Sequence, residues 1–229
     1  MFDNSRIKWI DTIWDPITGC PPALVFREDI LDQPLKWNKP GKILVCSMGD
    51  LFHEDVPDQW LEAVFSVMHS IECRRHTFML LTKRPERMKR IVERLEAETD
   101  TFNRAFPNVW LGVTIENQRT ADDRIPILLD IRAAVRFVYC EPLFEEIDIF
   151  EWLNPRQYPA KDGYGGDHAP GWITNFRTID WVMCGNEPSH DTGQVHPDRV
   201  SSLIGQCQKA GVPFHFKQCE AWSPVGQKG

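Results

Sequence analysis

Three glutamates, Glu116, Glu141 and Glu187, each stand within four residues beyond a short apolar run, and the cations Lys83, Arg84 and Lys217 hold the same kind of position. Carboxylates gathered at such points can accept hydrogen bonds from ribose hydroxyls or an amino group, or can bind a metal. The competing reading is mutual ion pairing with the three cations, because a buried set of acids and bases neutralises itself. Gly49-Asp50 follows another apolar run, where glycine allows close backbone approach to a ligand; a plain turn is the alternative. Cys20 comes directly after Gly19, at the end of an expected strand. One cysteine cannot hold an iron–sulfur cluster, which takes several thiolates, and no CxxC occurs in the chain. Cys140 and Cys184 close apolar runs and read as buried structural thiols. His53, His168, His190, His196 and His215 show no HxH or HExxH spacing, which argues against a histidine metal site. His196 reads instead as the cap of a helix beginning at Pro197, and His215 as an alternating strand residue.

These residues need strands to position them. The apolar runs are Lys42–Cys46, Thr77–Leu81, Asn108–Gly112, Val135–Tyr139, Ile179–Met183 and Pro213–Phe216. Short unbroken runs suit strands buried on both faces, as in a parallel sheet. An earlier strand is expected over Asp11–Ile17, ending at Thr18-Gly19-Cys20. Helical spacing lies between the runs. One helix opens near Pro57, with Trp60, Val64, Phe65 and Met68 inward. A second opens at Pro85, with Met88, Ile91, Val92 and Leu95. A third covers Asn117–Ile131, where Pro126 must sit near the start or make a kink. A fourth opens at Pro197, with Val200, Leu203, Ile204 and Cys207 inward and Gly211 as its stop. Successive strands lie roughly 27 to 44 residues apart, the size of βα units. The expected fold is α/β: a partial, TIM-like barrel of six or seven parallel βα units in one domain over residues 1–229. A doubly wound sheet concentrates its site at one switch point, whereas here every strand end carries polar residues. Neither GxGxxG nor GxxxxGK(S/T) occurs, so neither dinucleotide nor P-loop fingerprint is present. Residues 154–175 are rich in Gly, Pro and polar residues and read either as a lid or as a surface insertion.

Composition sets limits on function. A hydrophobic content of 42% over 229 residues is enough for a core. No apolar run reaches the length of a membrane span, and the N-terminal MFDNSRIKWID has no apolar signal region. The seven scattered cysteines do not suggest a disulfide framework, so a reducing cytoplasm is expected. A net charge of −7 argues against broad phosphate-backbone binding but leaves room for a local basic groove. The nine tryptophans, Trp9, Trp14, Trp37, Trp172 and Trp222 among them, read first as core and rim packing.

Read together, ITGC, LDQPLKWNKPGKILVCSMGDLFHEDVPDQW, HTFMLLTKRPERM, NVWLGVTIENQ, RIPILL, RFVYCEPL, IDWVMCGNE, HPDRV and CQKAGVPFHFKQ resemble a phage- and bacterium-associated family of uncharacterised radical-SAM-like proteins. The resemblance runs from about Ile10 to Gln218. It implies a radical-SAM-type partial barrel that binds S-adenosylmethionine beside a 4Fe–4S cluster. Reductive cleavage would then yield a 5′-deoxyadenosyl radical acting on a nucleotide, nucleic-acid or phage-linked substrate, with a reducing partner such as flavodoxin. On that analogy Cys20 is a cluster ligand, Gly49 and Asp50 lie near the methionine amino group, and Lys83 lines the cofactor site. Glu116 and Asn117 face the ribose, and Glu141, Glu187 and Lys217 meet substrate or cofactor.

The chain departs from the pattern at two places. Relatives carry two more cysteines in a GCxxCYA-like run and then a helix, whereas Cys20 is followed at once by Pro21-Pro22-Ala23-Leu24-Val25-Phe26. Either the loop has been deleted, or residues of the full protein are lacking there, in which case flanking Cα atoms between Cys20 and Phe26 would lie well beyond the 3.8 Å of a trans peptide. The second departure is Gly185-Asn186-Glu187-Pro188, where relatives carry GGES. The alternative function is a non-catalytic, barrel-derived binding or inhibitory module that has lost the cluster.

Overall fold

In a computed structural model of the protein, each of the six apolar runs forms a parallel strand. The structure describes residues 5–7, 9–13, 23–45, 49–98, 106–154, 177–185 and 196–217, with backbone alone for 5–7, 11–13 and 23. The chain divides into two compact units, Met1–Thr114 with Ile131–Val135, and Ile115–Asp130 with Arg136–Gly229. Among the described residues no helix is long and apolar enough to cross a membrane.

The first unit holds β1 (Ser5–Ile7), β2 (Ile10–Ile13), β3 (Ala23–Phe26), β4 (Lys42–Val45), α1 (Asp58–His69), β5 (Thr77–Thr82), α2 (Pro85–Glu98) and β6 (Val109–Thr114). Strand β1 pairs with β4, β4 with β5 and β5 with β6, all parallel. One set of alternating residues, Ile43, Val45, Phe78, Leu80, Val109, Leu111 and Val113, is buried throughout. Val64, Phe65 and Met68 of α1 and Met88, Ile91, Val92 and Leu95 of α2 are buried as their spacing requires, while Leu61 takes the fully buried place expected of Trp60, which is only partly buried.

The second unit holds α3 (Gln118–Asp130), β7 (Val135–Cys140), α4 (Phe150–Leu153), β8 (Trp181–Gly185), α5 (Pro197–Ala210) and β9 (Phe214–Lys217). Strand β7 pairs with β8 and β8 with β9, again parallel. The fold is therefore α/β with parallel strands. In each unit the order of the parallel strands follows the chain without reversal, so neither contains the switch point of a doubly wound sheet. Several strands run past their apolar stretches to take in Thr82, Thr114, Cys140, Gly185 and Lys217. Polar residues at a carboxyl end still complete the ladder, which hydropathy alone does not register.

The strand expected over Asp11–Ile17 is corrected. The first parallel strand is β1, and Ile10–Ile13 instead pairs antiparallel with Ala23–Phe26. Side chains of this hairpin region pack on β5 and α1. Trp9 is fully buried, stacks on Phe78 at 6.1 Å and donates its indole N–H to the Ile30 carbonyl at 3.3 Å. Phe26 stacks on Trp60 of α1 at 5.3 Å. Cys20 and the 20–22 part of the separation at issue lie outside the described residues, as do 155–175 of the irregular segment.

Pro126 sits well inside α3, neither at its start nor beyond it. Its missing N–H removes one intrahelical bond, while Ala121, Ile125, Leu128 and Leu129 keep the helix packed. His196 caps α5 as expected, accepting from Asp198 N at 3.3 Å, and Gly211 closes that helix at φ 71°, a left-handed conformation that glycine adopts without strain.

His76, 1% exposed, locks the turn before β4 to the start of β5. Its Nδ1 accepts from Gly41 N at 3.2 Å, so the ring proton sits on Nε2, 3.1 Å from the Pro34 carbonyl. Burial holds the His76 pKa below its ordinary value, and burial does the same at His215. The unfolded chain therefore binds these protons more readily. The stability they contribute is complete above about pH 6.5 and is lost as pH falls below it. The melting temperature should drop between pH 7 and pH 5, and His76→Gln should flatten that drop. An unchanged slope would remove His76 from the pH response.

Candidate functional site

The registers of β7, β8 and β9 stack side chains in tiers. Phe137 pairs with Trp181, Tyr139 with Met183, Met183 with His215, and Gly185 with Lys217. Alternation puts Glu141, directly after β7, on the same face as Tyr139, level with Gly185 and Lys217. Aromatic rings form the base: Phe137 lies 6.3 Å from Trp181, and Trp181 lies 6.1 Å from His215. The opposite face carries Cys140 and Cys184, paired in register and buried.

At the carboxyl edge Glu141 and Lys217 meet across β8. Lys217 Nζ donates to Glu141 Oε2 at 3.3 Å, and the Tyr139 hydroxyl donates to the same oxygen. Glu141 is 8% exposed, while the Lys217 side chain is 44% exposed. The pair can form because position 185 has no side chain: a Cβ there would collide with the Glu141 carboxylate. Glu141 Oε1 is buried and has no hydrogen-bond partner. Two donors thus share one oxygen while the other stays open, in a setting where an unmet acceptor is costly.

Glu116 does not join this pair. Its carboxylate accepts from Arg124 Nη1 of α3 at 2.9 Å, and Glu116 is 6% exposed. Asn117 is the N-terminal cap of α3. Its Oδ1 accepts from Thr120 N at 2.9 Å, while Thr120 Oγ1 accepts from Glu116 N at 2.9 Å and Asn117 N at 3.1 Å. Glu116→Gln should therefore destabilise the fold by about 1–3 kcal/mol, through the charge-assisted bond lost from a buried partner. Thermal melts check this; an unchanged melting temperature would free Glu116 for a ligand role.

In the first unit Asp50 is an anchor. Its Oδ1 accepts from Phe52 N at 2.9 Å and Thr82 Oγ1 at 2.7 Å, and its Oδ2 from Lys83 N at 3.1 Å and Arg84 Nη1 at 2.9 Å. Four donors fill the acceptor sites of one carboxylate, leaving none for an amino group. Lys83 is exposed and contributes its backbone N–H here. At Gly49 a Cβ would come no nearer than 3.9 Å to the Ile10 carbonyl, an ordinary contact, so packing within the unit does not demand glycine there. Arg87 fixes the far end of the same loop, donating to the His53 and Val56 carbonyls and to Asp58 Oδ1 at 3.0 Å. Glu187 and Cys20 lie outside the described residues.

The thiols bear on the cluster. Cys73, Cys140, Cys184 and Cys207 are free and buried. Burial pushes the Cys140 thiol well up, and those of Cys184 and Cys207 up to about 12. Among the described residues no group of His, Cys, Asp and Glu is placed to hold a metal ion. The described donor set does not fit an iron–sulfur cluster.

Over residues 22–228 the chain matches a family described as "Protein of unknown function (DUF5131)", and it belongs to that family. Nothing among curated proteins or solved structures matches it.

Proposed function

We propose that this chain is a barrel-type protein that binds a small polar ligand at the carboxyl edge of β7, β8 and β9. The observation that carries this reading is Glu141 Oε1, a buried carboxylate oxygen without a donor. Leaving such an acceptor unmet costs roughly 1–3 kcal/mol, and the few native examples call for an explanation. Its place after a parallel strand is where ligand sites gather. Strand order without reversal supports the barrel half of the reading. S-adenosylmethionine is the ligand the family resemblance suggests, its amino group and ribose hydroxyls being suitable donors. The fuller radical reading, with a nucleotide or nucleic-acid substrate and a flavodoxin-like reductant, needs several cysteines gathered at one place, a set not present among the described residues.

Calorimetric titration of the purified chain with S-adenosylmethionine, adenosine, and nucleoside mono- and diphosphates tests this. Saturable binding of one of them is expected, weakened about ten- to a hundredfold in Glu141→Gln. No binding, or undiminished affinity in the variant, would contradict it. Anaerobic reconstitution with iron and sulfide should leave no stoichiometric cluster; a full 4Fe–4S complement would return the radical reading to first place.

A further inference from the structure

Glu141, with one oxygen lacking a donor, and the half-exposed Lys217 are joined through the other oxygen, and together they constrain the ligand. We infer that the bound group is a zwitterion of the α-amino acid type, its ammonium donating to Glu141 Oε1 and its carboxylate accepting from Lys217 Nζ. This rests on the binding reading above and names the class of group recognised. An ammonium has three N–H donors, and one of those on Lys217 goes to Glu141 Oε2. The Lys217 side chain is 44% exposed, so it is the approachable side of the pair. The terminal torsion of a glutamate is broad, so a turn of the carboxylate brings its open oxygen toward an incoming donor.

Charge selects the class. Glu141 and Lys217 together are neutral. A ligand carrying only a carboxylate or phosphate would meet the Glu141 charge, and one carrying only an amine would meet Lys217. A zwitterion satisfies both, and each mismatched ligand is rejected by the group it leaves unpaired. Gly185 leaves the Glu141 carboxylate room to lie against β8 beside Lys217, since any side chain there would occupy the place of the carboxylate.

The test pairs each amino acid with its decarboxylated amine. S-adenosylmethionine, L-methionine and L-glutamine, each beside its amine, are titrated into the wild type, Lys217→Met and Lys217→Arg. At least one amino acid should bind, and its amine about tenfold or more weakly. Lys217→Met should abolish that preference, weakening the amino acid at least about tenfold while leaving the amine bound at least as tightly as before; Lys217→Arg should keep the preference. Equal binding of acid and amine by the wild type, or equal weakening of both in Lys217→Met, would overturn the zwitterion while leaving a ligand at this edge. Should Lys217→Met not fold, loss of the preference in Lys217→Arg would overturn it instead. Failure of all these compounds and of the nucleotides to bind would overturn the underlying reading as well.

Discussion

Gly185→Ala should lower stability by about 2–4 kcal/mol, far more than a methyl group ordinarily costs in a strand. The new Cβ would take the position of the Glu141 carboxylate. Glu141 must then swing away from Lys217 and Tyr139, or the strands must part. Overpacking alone costs about 1–3 kcal/mol, and taking the buried Glu141 carboxylate away from its two donors adds to it. Gly205→Ala is the control. It lies inside α5 with nothing within 4 Å of an added Cβ, so the same change there should stabilise by about 0.5–1 kcal/mol. Urea denaturation of both variants settles it through the midpoint at unchanged slope. A Gly185→Ala protein as stable as wild type would mean that Glu141 does not rest on Gly185.

Asp50→Ala should cost about 3 kcal/mol. The change removes the acceptor for four donors, Phe52 N within the loop after β4 and three at or just beyond the end of β5. The Asp50 side chain is only 15% exposed, so water replaces few of those bonds, and each buried donor left unmet costs roughly 1–3 kcal/mol. Asp50→Asn should recover less than half of the loss, because its amide N–H₂ would face donors on one side. A loss under about 0.5 kcal/mol by denaturant midpoint would show that Arg87 alone holds the loop.

Much of this arrangement was legible in the residues. Unbroken apolar runs such as Thr77–Leu81 identify parallel strands because both faces must be buried. Glu141 and Lys217 stand out as charges at strand ends, and their pairing is among the ion pairs expected from composition. The strand expected over Asp11–Ile17 overlaps β2, but its antiparallel partner does not follow from hydropathy, which is blind to direction. The helix over Asn117–Ile131 follows from its spacing, whereas the ribose role of Asn117 comes only with the family resemblance and its capping bond to Thr120 is seen only in the folded chain. The partner of Glu116, Arg124, becomes visible once the start of α3 is known. Asp50 binds residues 32 to 34 positions away, and Gly185 matters because of a side chain on the neighbouring strand. Neither relation has a local signature.

The most direct test of the binding site is a high-resolution crystal structure of the protein as purified from cells, inspected at Glu141 Oε1. The expected result is a non-protein molecule within hydrogen-bond distance of both that oxygen and Lys217 Nζ, with the Glu141–Lys217 contact kept across Gly185. A donor from the protein's own chain seated on Oε1 would contradict it, since the buried acceptor would then be satisfied without any ligand.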